Sequence, residues 1–318
     1  MRRRLTTLLA ALAAPAALAG LLLGTAGQAA ASTSPSAVLT AAQDNPYKNV
    51  TTHQRHARDL RKVNITIPRT RLPALKTGAA ATALHTGQMS STNWSGYADV
   101  ACPTCALRYV AADFTAPHLN AVKSPAGSWA SHWIGLDGVG DNTVEQVGID
   151  TYVSGGIDYY YAWLEMFPAP TQVYALAASP GDNISVAIYT AGGTYYLGLN
   201  DTTLGAGFNA TATVPAGYTG LNKSAEVITE APTLVMSDGS LVQAPLADYG
   251  QVNYNSATVT ARNGMHGGLG STSLWNGYAV TMKNPAGATL SAPSGLLNGT
   301  NGAGVPVSDF TAAWQAAA

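Results

Sequence analysis

From Asn93 to the C-terminus the chain is written in short runs of alternating apolar and polar residues, cut by Gly, Pro, Asn and Asp, and helical periodicity is nearly absent. A run alternating with period two presents one apolar and one polar face as a strand. Such strands bury their apolar faces by stacking sheet on sheet, so the expected fold is all-β, an antiparallel β-sandwich. Strand candidates include NWSGYADV, LRYVAADFTAP, HWIGLDG, VEQVGID, DYYYAWLEMF, GFNATATV, SAEVITEA and LWNGYAVTM. In ISVAIYT the residues Ile184, Val186 and Ile188 share a face, AGG turns the chain and TYYLGLN returns, which predicts a hairpin. Residues 288–305, ATLSAPSGLLNGTNGAGV, read as a loop.

The N-terminal part is of another kind. Arg2, Arg3 and Arg4 precede an apolar stretch from Leu5 to about Leu23, and Ala29 and Ala31 form an Ala-x-Ala cleavage site, so residues 1–31 read as a secretory signal peptide. The protein is therefore expected to be secreted and extracellular. No other stretch is long and apolar enough to span a bilayer, and no membrane partner is expected. Residues 32–90 carry eight Lys and Arg (Lys48, Arg55, Arg58, Arg61, Lys62, Arg69, Arg71, Lys76) against Asp44 and Asp59. Residues 91–318 reverse this, with five basic residues (Arg108, Lys123, Lys223, Arg262, Lys283) against fifteen acids. A basic leader behind a signal peptide reads as a propeptide that covers an acidic cleft by charge complementarity and lets go as carboxylates protonate. A basic tail for nucleic acid does not suit a secreted chain. With so few cations, the acidic domain gains little positive self-repulsion when its acids are neutralised, which suits work at low pH.

Motifs exclude several chemistries. There is no Gly-x-Ser-x-Gly elbow, no His-Glu-x-x-His and no pepsin-type Asp-Thr-Gly or Asp-Ser-Gly. The two cysteines, Cys102 and Cys105, have no second pair and no downstream His pair, so they read as a local disulfide in a secreted chain, not a metal site. Neither metal nor cofactor is expected. His132 falls on the face of Ile134 and Leu136 and reads as a structural histidine. Eight Asn-x-Ser/Thr sequons, among them Asn183 and Asn209, read as chance matches in a chain this rich in these residues. Chemistry is left to carboxylates and amides. By period two, three strands oppose an aliphatic face with a second face bearing Trp133, Asp137, Gln146, Asp150, Trp163 and Glu165, a cleft for an extended peptide or glycan. In SAEVITEAP, Glu226 alternates with small and apolar neighbours, and residue pattern alone leaves it a surface glutamate.

WIGLDG, TVEQVGID, YYYAWLEMFP and SAEVITEAP, preceded by NWSGY, resemble in order and spacing the glutamic peptidases, or eqolisins, from about Asn93 to Trp314. The resemblance implies a secreted acid endopeptidase made as a preproprotein (zymogen), with a sandwich of the concanavalin A-like lectin and glucanase type. It implies a catalytic pair falling on Gln146 and Glu226. Trp133, Asp137, Trp163 and Glu165 match motif positions and are expected to shape the cleft or support the pair. Glu226 would take a proton from water and return it to the leaving amine, while Gln146 holds the water and donates an N–H to the oxyanion. Val227 stands where the family commonly has an aromatic. Protein or peptide substrates, the propeptide as inhibitor and a monomeric state are expected. Two alternatives stand at this point. A β-bulge would turn Glu145 into the cleft in place of Gln146. A carbohydrate-active sandwich, glycosidase or lectin-like, would use Glu145, Asp150, Glu165 or Glu226.

Overall fold

The computed structural model describes residues 86–317, except 103–104, 175, 177, 236–239 and 272. The expected signal peptide and the expected propeptide up to residue 85 lie outside the described residues. Nineteen strands follow in chain order, and no helix occurs among the described residues. The first seven are β1 (Thr86–Ser91), β2 (Trp94–Val100), β3 (Leu107–Thr115), β4 (Trp129–Leu136), β5 (Val144–Ser154), β6 (Ile157–Phe167) and β7 (Gln172–Tyr174). Then come β8 (Asn183–Ala191), β9 (Thr194–Asp201), β10 (Ala206–Ala212), β11 (Ser224–Glu230), β12 (Thr233–Val235) and β13 (Leu241–Gln243). The chain ends with β14 (Gln251–Ala261), β15 (His266–Gly268), β16 (Asn276–Lys283), β17 (Thr289–Pro293), β18 (Leu297–Thr300) and β19 (Pro306–Trp314).

The ladders define two stacked sheets. One has the order β1-β16-β2-β11-β4-β5-β6-β7. The other runs β10-β9-β8-β3-β14-β19. The sandwich expected from the alternation is therefore present, and the hairpin of β8 and β9 turns at Gly192 and Gly193, both at positive φ, as a two-residue primed turn requires. Two features depart from the sequence reading. The β1–β16 pair is parallel. The segment 288–305 contains β17 and β18, because the edge of β19 offers backbone partners to both and buries Leu290, which outweighs their loop-like composition. β17 also pairs with β16, so it closes one side of the sandwich.

Between the sheets lies a core that includes Val147, Ile149, Leu164, Val227, Tyr254 and Phe310. His132 is buried there as the sequence suggests, its Nδ1 3.1 Å from Thr229 Oγ1, which is 3.0 Å from the Tyr254 hydroxyl. Burial lowers the His132 pKa to about 3. The core also holds buried acids. Asp99 accepts an N–H from Gly270 at 2.9 Å, yet burial lifts its carboxyl to about 8. Asp137 is lifted to about 7, by burial first and by Asp141 second. Glu145 is raised well above the ordinary range by burial and then by Asp137. A second apolar cluster covers the outer face of the β1–β7 sheet, with Trp94, Trp129, Trp133, Tyr161 and Trp163 among its members.

These shifts set the pH dependence of stability. Unfolded carboxyls titrate near about 4, so between about pH 4 and 8 the native state binds more protons than the unfolded chain, and stability is lost as pH rises. His132 works in the opposite sense, its contribution being lost as pH falls from about 6.5 towards 3. Three raised acids outweigh one histidine above pH 4. Calorimetric melts should therefore show Tm highest near pH 4 and falling towards pH 8, and Asp99→Asn should flatten the fall. A Tm that climbs from pH 4 to pH 8 contradicts this account.

Candidate active site

Strand β4 lies between β5 and β11, and Gly135 is paired with Gln146 on one side and with Glu226 on the other. One strand further out, Glu165 of β6 is paired with Gln146. Paired residues on neighbouring antiparallel strands project to the same face, so Glu165, Gln146, Gly135 and Glu226 form one row. At about 4.8 Å per strand, the Cα atoms of Gln146 and Glu226 are roughly 10 Å apart. The ladders of β5 run without a register shift from Val144 to Ser154, so no bulge turns the strand over. Glu145 consequently belongs to the inner face, where its charge is felt by Tyr195 of β9 in the opposite sheet. Of the two rival residues, Gln146 is the one that shares a face with Glu226.

Gly135 keeps the space between them free of a side chain. A β-carbon added there would stand 3.4 Å from Glu226 Oε2 and 2.8 Å from Trp133 Cζ3. The Glu226 carboxyl thus leans across Gly135 towards Gln146, and the Trp133 indole lies over the same spot. Gly148, paired with Trp133, serves the same packing, since a β-carbon there would stand 2.6 Å from Trp133 Cβ.

The Gln146 amide is oriented by its neighbour. Nε2 donates to Glu165 Oε2 at 2.7 Å, and Thr171 Oγ1 donates to Glu165 Oε1 at 2.7 Å. This bond directs the amide nitrogen to the Glu165 side. Gln146 Oε1 and both Glu226 oxygens are buried and have no hydrogen-bond partner among the described residues. Burial raises the Glu226 carboxyl well above the ordinary range; the Ser224 hydroxyl beside it offsets part of this, and the charges of Asp141, Asp137 and Glu145 add to the rise.

The remaining sequence candidates fall into place around this row. Trp163 is paired opposite Gly148 and is fully buried in the outer cluster beside Trp133. Asp137, at φ 65°, turns out of the strand, and its carboxyl accepts the N–H groups of Asn222 at 2.8 Å and Lys223 at 2.7 Å. It holds the entry to β11, and its charge reaches Glu226. Cys102 and Cys105 form a disulfide in the turn after β2, with the Cys105 N–H donating to the Cys102 carbonyl at 2.9 Å. Among the described residues no group of His, Cys, Asp and Glu is arranged to hold a metal ion.

Sequence reading missed four polar residues. Glu230 Oε2 accepts the Trp133 indole N–H at 2.9 Å, Asn93 Nδ2 donates to Glu230 Oε1 at 3.2 Å, Ser91 Oγ donates to Asn93 Oδ1 at 3.0 Å, and Thr171 holds Glu165. Glu230 carried a signal, two alternation steps beyond Glu226 in SAEVITEAP; Asn93 sits in the NWSGY motif.

Scytalido-glutamic peptidase, solved with a transition state analog inhibitor, is similar in fold with a TM-score of 0.59 at 19% identity, over 70% of this chain and 98% of that one. SCP-B, an eqolisin solved with the tripeptide Ala-Ile-His, is similar with a TM-score of 0.56 at 18% identity, over the same 70% and 98%. No curated protein matches by sequence. Residues 92–292, more than half of the chain, match the Peptidase A4 family, and the chain belongs to that family, the glutamic peptidases or eqolisins.

Proposed function

We propose that the protein is a secreted acid endopeptidase in which Glu226 and Gln146 are the catalytic pair. The observation that carries this reading is the row Gln146–Gly135–Glu226, an amide and a lifted carboxyl facing each other across a bare glycine. A water between them would receive a hydrogen bond acceptor from each side. Ionised Glu226 takes a proton from this water as its oxygen bonds to the scissile carbonyl carbon; the carbonyl oxygen becomes the oxyanion and accepts an N–H of Gln146. Glu226 then returns the proton to the leaving nitrogen as the C–N bond breaks. One N–H of Gln146 is engaged by Glu165, and the second serves the oxyanion. A carboxyl raised by burial is a stronger base in the fraction that is ionised, and it holds its proton well enough to give it back to the leaving nitrogen.

The glycosidase alternative needs two carboxyls about 5 to 9.5 Å apart. Across Gly135 the partner of Glu226 is an amide, and Glu165 stands three strands from Glu226, roughly 14 Å at the Cα atoms. Glu145 is on the other face. The spacing therefore favours amide hydrolysis over glycoside hydrolysis.

A signal peptide and an inhibitory basic propeptide complete the reading, supported by the charge division of the sequence. β1 bears on the boundary. From Thr86 to Ser91 it pairs with β16, and Met89 and Ser91 are buried. A cut between residues 90 and 91 would sever a strand from the catalytic sheet, so we place the mature N-terminus at or before Thr86.

Three outcomes follow. In purified, folded protein at about pH 4, Glu226→Gln should lower cleavage of a denatured protein substrate by a hundredfold or more, and Gln146→Ala by about a hundredfold to a thousandfold. Retention of parent activity by folded Glu226→Gln would sink the assignment. Gly135→Ala should fold yet lose most activity, because its methyl meets Trp133 at 2.8 Å beside Glu226; undiminished turnover would show that the gap is unimportant. Mass spectrometry of acid-matured protein should find an N-terminus at or upstream of Thr86, and a start at Ser91 would contradict the placement.

A further inference from the structure

The indole of Trp133 lies over Gly135, in the gap between Gln146 and Glu226, and it is held from a distance. Its N–H is bonded to Glu230 Oε2 at 2.9 Å, and Asn93 Nδ2 donates to the other oxygen of Glu230 at 3.2 Å. Ser91 Oγ donates to Asn93 Oδ1 at 3.0 Å and accepts the N–H of Trp94 at 3.0 Å. All four side chains of this chain of bonds are nearly or fully buried: Ser91 4%, Asn93 2%, Glu230 0% and Trp133 0% exposed. The corner that carries Ser91 and Asn93 is itself fixed to the end of β11, since the Ala231 N–H donates to the Asn93 carbonyl at 2.8 Å, and to β13, since Gln243 Nε2 donates to the Thr92 carbonyl at 2.6 Å. Trp94, next to Asn93, meets the Trp133 ring edge-on with centroids 4.9 Å apart.

We propose that Ser91, Asn93 and Glu230 are positioning residues that set the Trp133 indole over the reacting gap, so that the corner between β1 and β2 controls turnover without touching substrate. The physical reason is the leverage of a buried indole. Its polar end has one acceptor, Glu230, and that carboxyl stays in place because Asn93 occupies its second oxygen. Loss of Asn93 removes a hydrogen bond from the carboxyl that holds the indole N–H, so the indole shifts and its far edge moves where the scissile carbonyl must enter. Misplacement by about an ångström costs up to about a hundredfold in rate. The relay also ties catalysis to β1, because Ser91 is the last residue of that strand. This inference rests on Gln146 and Glu226 being the reacting pair.

Two readouts test it. In acid-matured protein, which keeps Ser91 and Asn93, the indole N–H resonance of Trp133, identified by its absence from Trp133→Phe, reports the relay without any turnover. Asn93→Ala should move that resonance and lower kcat about tenfold to a hundredfold with KM within about twofold. Ser91→Ala should act in the same direction more weakly, and Ser91→Thr, which keeps the hydroxyl, should restore both observables; these variants serve where Asn93→Ala fails to fold. An unmoved resonance, an unchanged kcat, or a raised KM at parent kcat overturns the proposal. A parent protein that shows no cleavage but loses the resonance position in Asn93→Ala counts against the Gln146 and Glu226 reading alone.

Discussion

Everything functional in this molecule depends on the register of β4 between β5 and β11. Because side chains alternate faces, a slip of one residue in either ladder would send Gln146 or Glu226 into the sandwich core and bring Glu145 or Val227 to the outer face. The register is specified from both sides. On the inner face Val147, Ile134 and Val227 stand in a row and are fully buried, so a slip would exchange three apolar side chains for two glutamates or glutamines and a glycine. On the outer face only glycine at 135 and 148 allows the Trp133 indole to lie flat. The two faces select the same alignment.

That alignment concentrates buried acids around the site. Asp99, Asp137, Glu145 and Glu226 are all raised first by burial, and the charges of their neighbours add to the rise in the last three. A carboxyl that burial strips of water is accommodated by keeping its proton. The scarcity of Lys and Arg in the sequence and the buried acids in the structure thus act in the same sense, since both favour the proton-bound state of the fold.

The fold was legible in the sequence because alternation encodes burial directly. Ile184, Val186 and Ile188 are buried on one side of β8, and the paired glycines turn the hairpin. β17 and β18 were not legible, since their pairing depends on an edge supplied by β19, which no local composition reports. At the site, alternation placed Gln146, Trp133, Trp163 and Glu165 together, but it had no way to relate Glu226 to them, because adjacency of β4 and β11 is a long-range fact of topology. Asp137 shows the complementary limit. Counting by twos puts it on the face of Trp133 and Gly135, but a left-handed φ at the strand end turns its carboxyl to the backbone of Asn222 and Lys223.

The same electrostatics explain why an amide faces Glu226. Asp141, Asp137 and Glu145 already oppose its ionisation, and a second carboxyl at position 146 would add a like charge in the same row. One of the two would then hold its proton firmly, and the pair could not both be ionised. Glutamine adds no charge. It still presents an acceptor and a second N–H once Glu165 has fixed the first, whereas an ionised acid presents only acceptors. The buried acid cluster and the amide are therefore linked: the more the surroundings hold Glu226 towards its protonated form, the more its partner must be neutral.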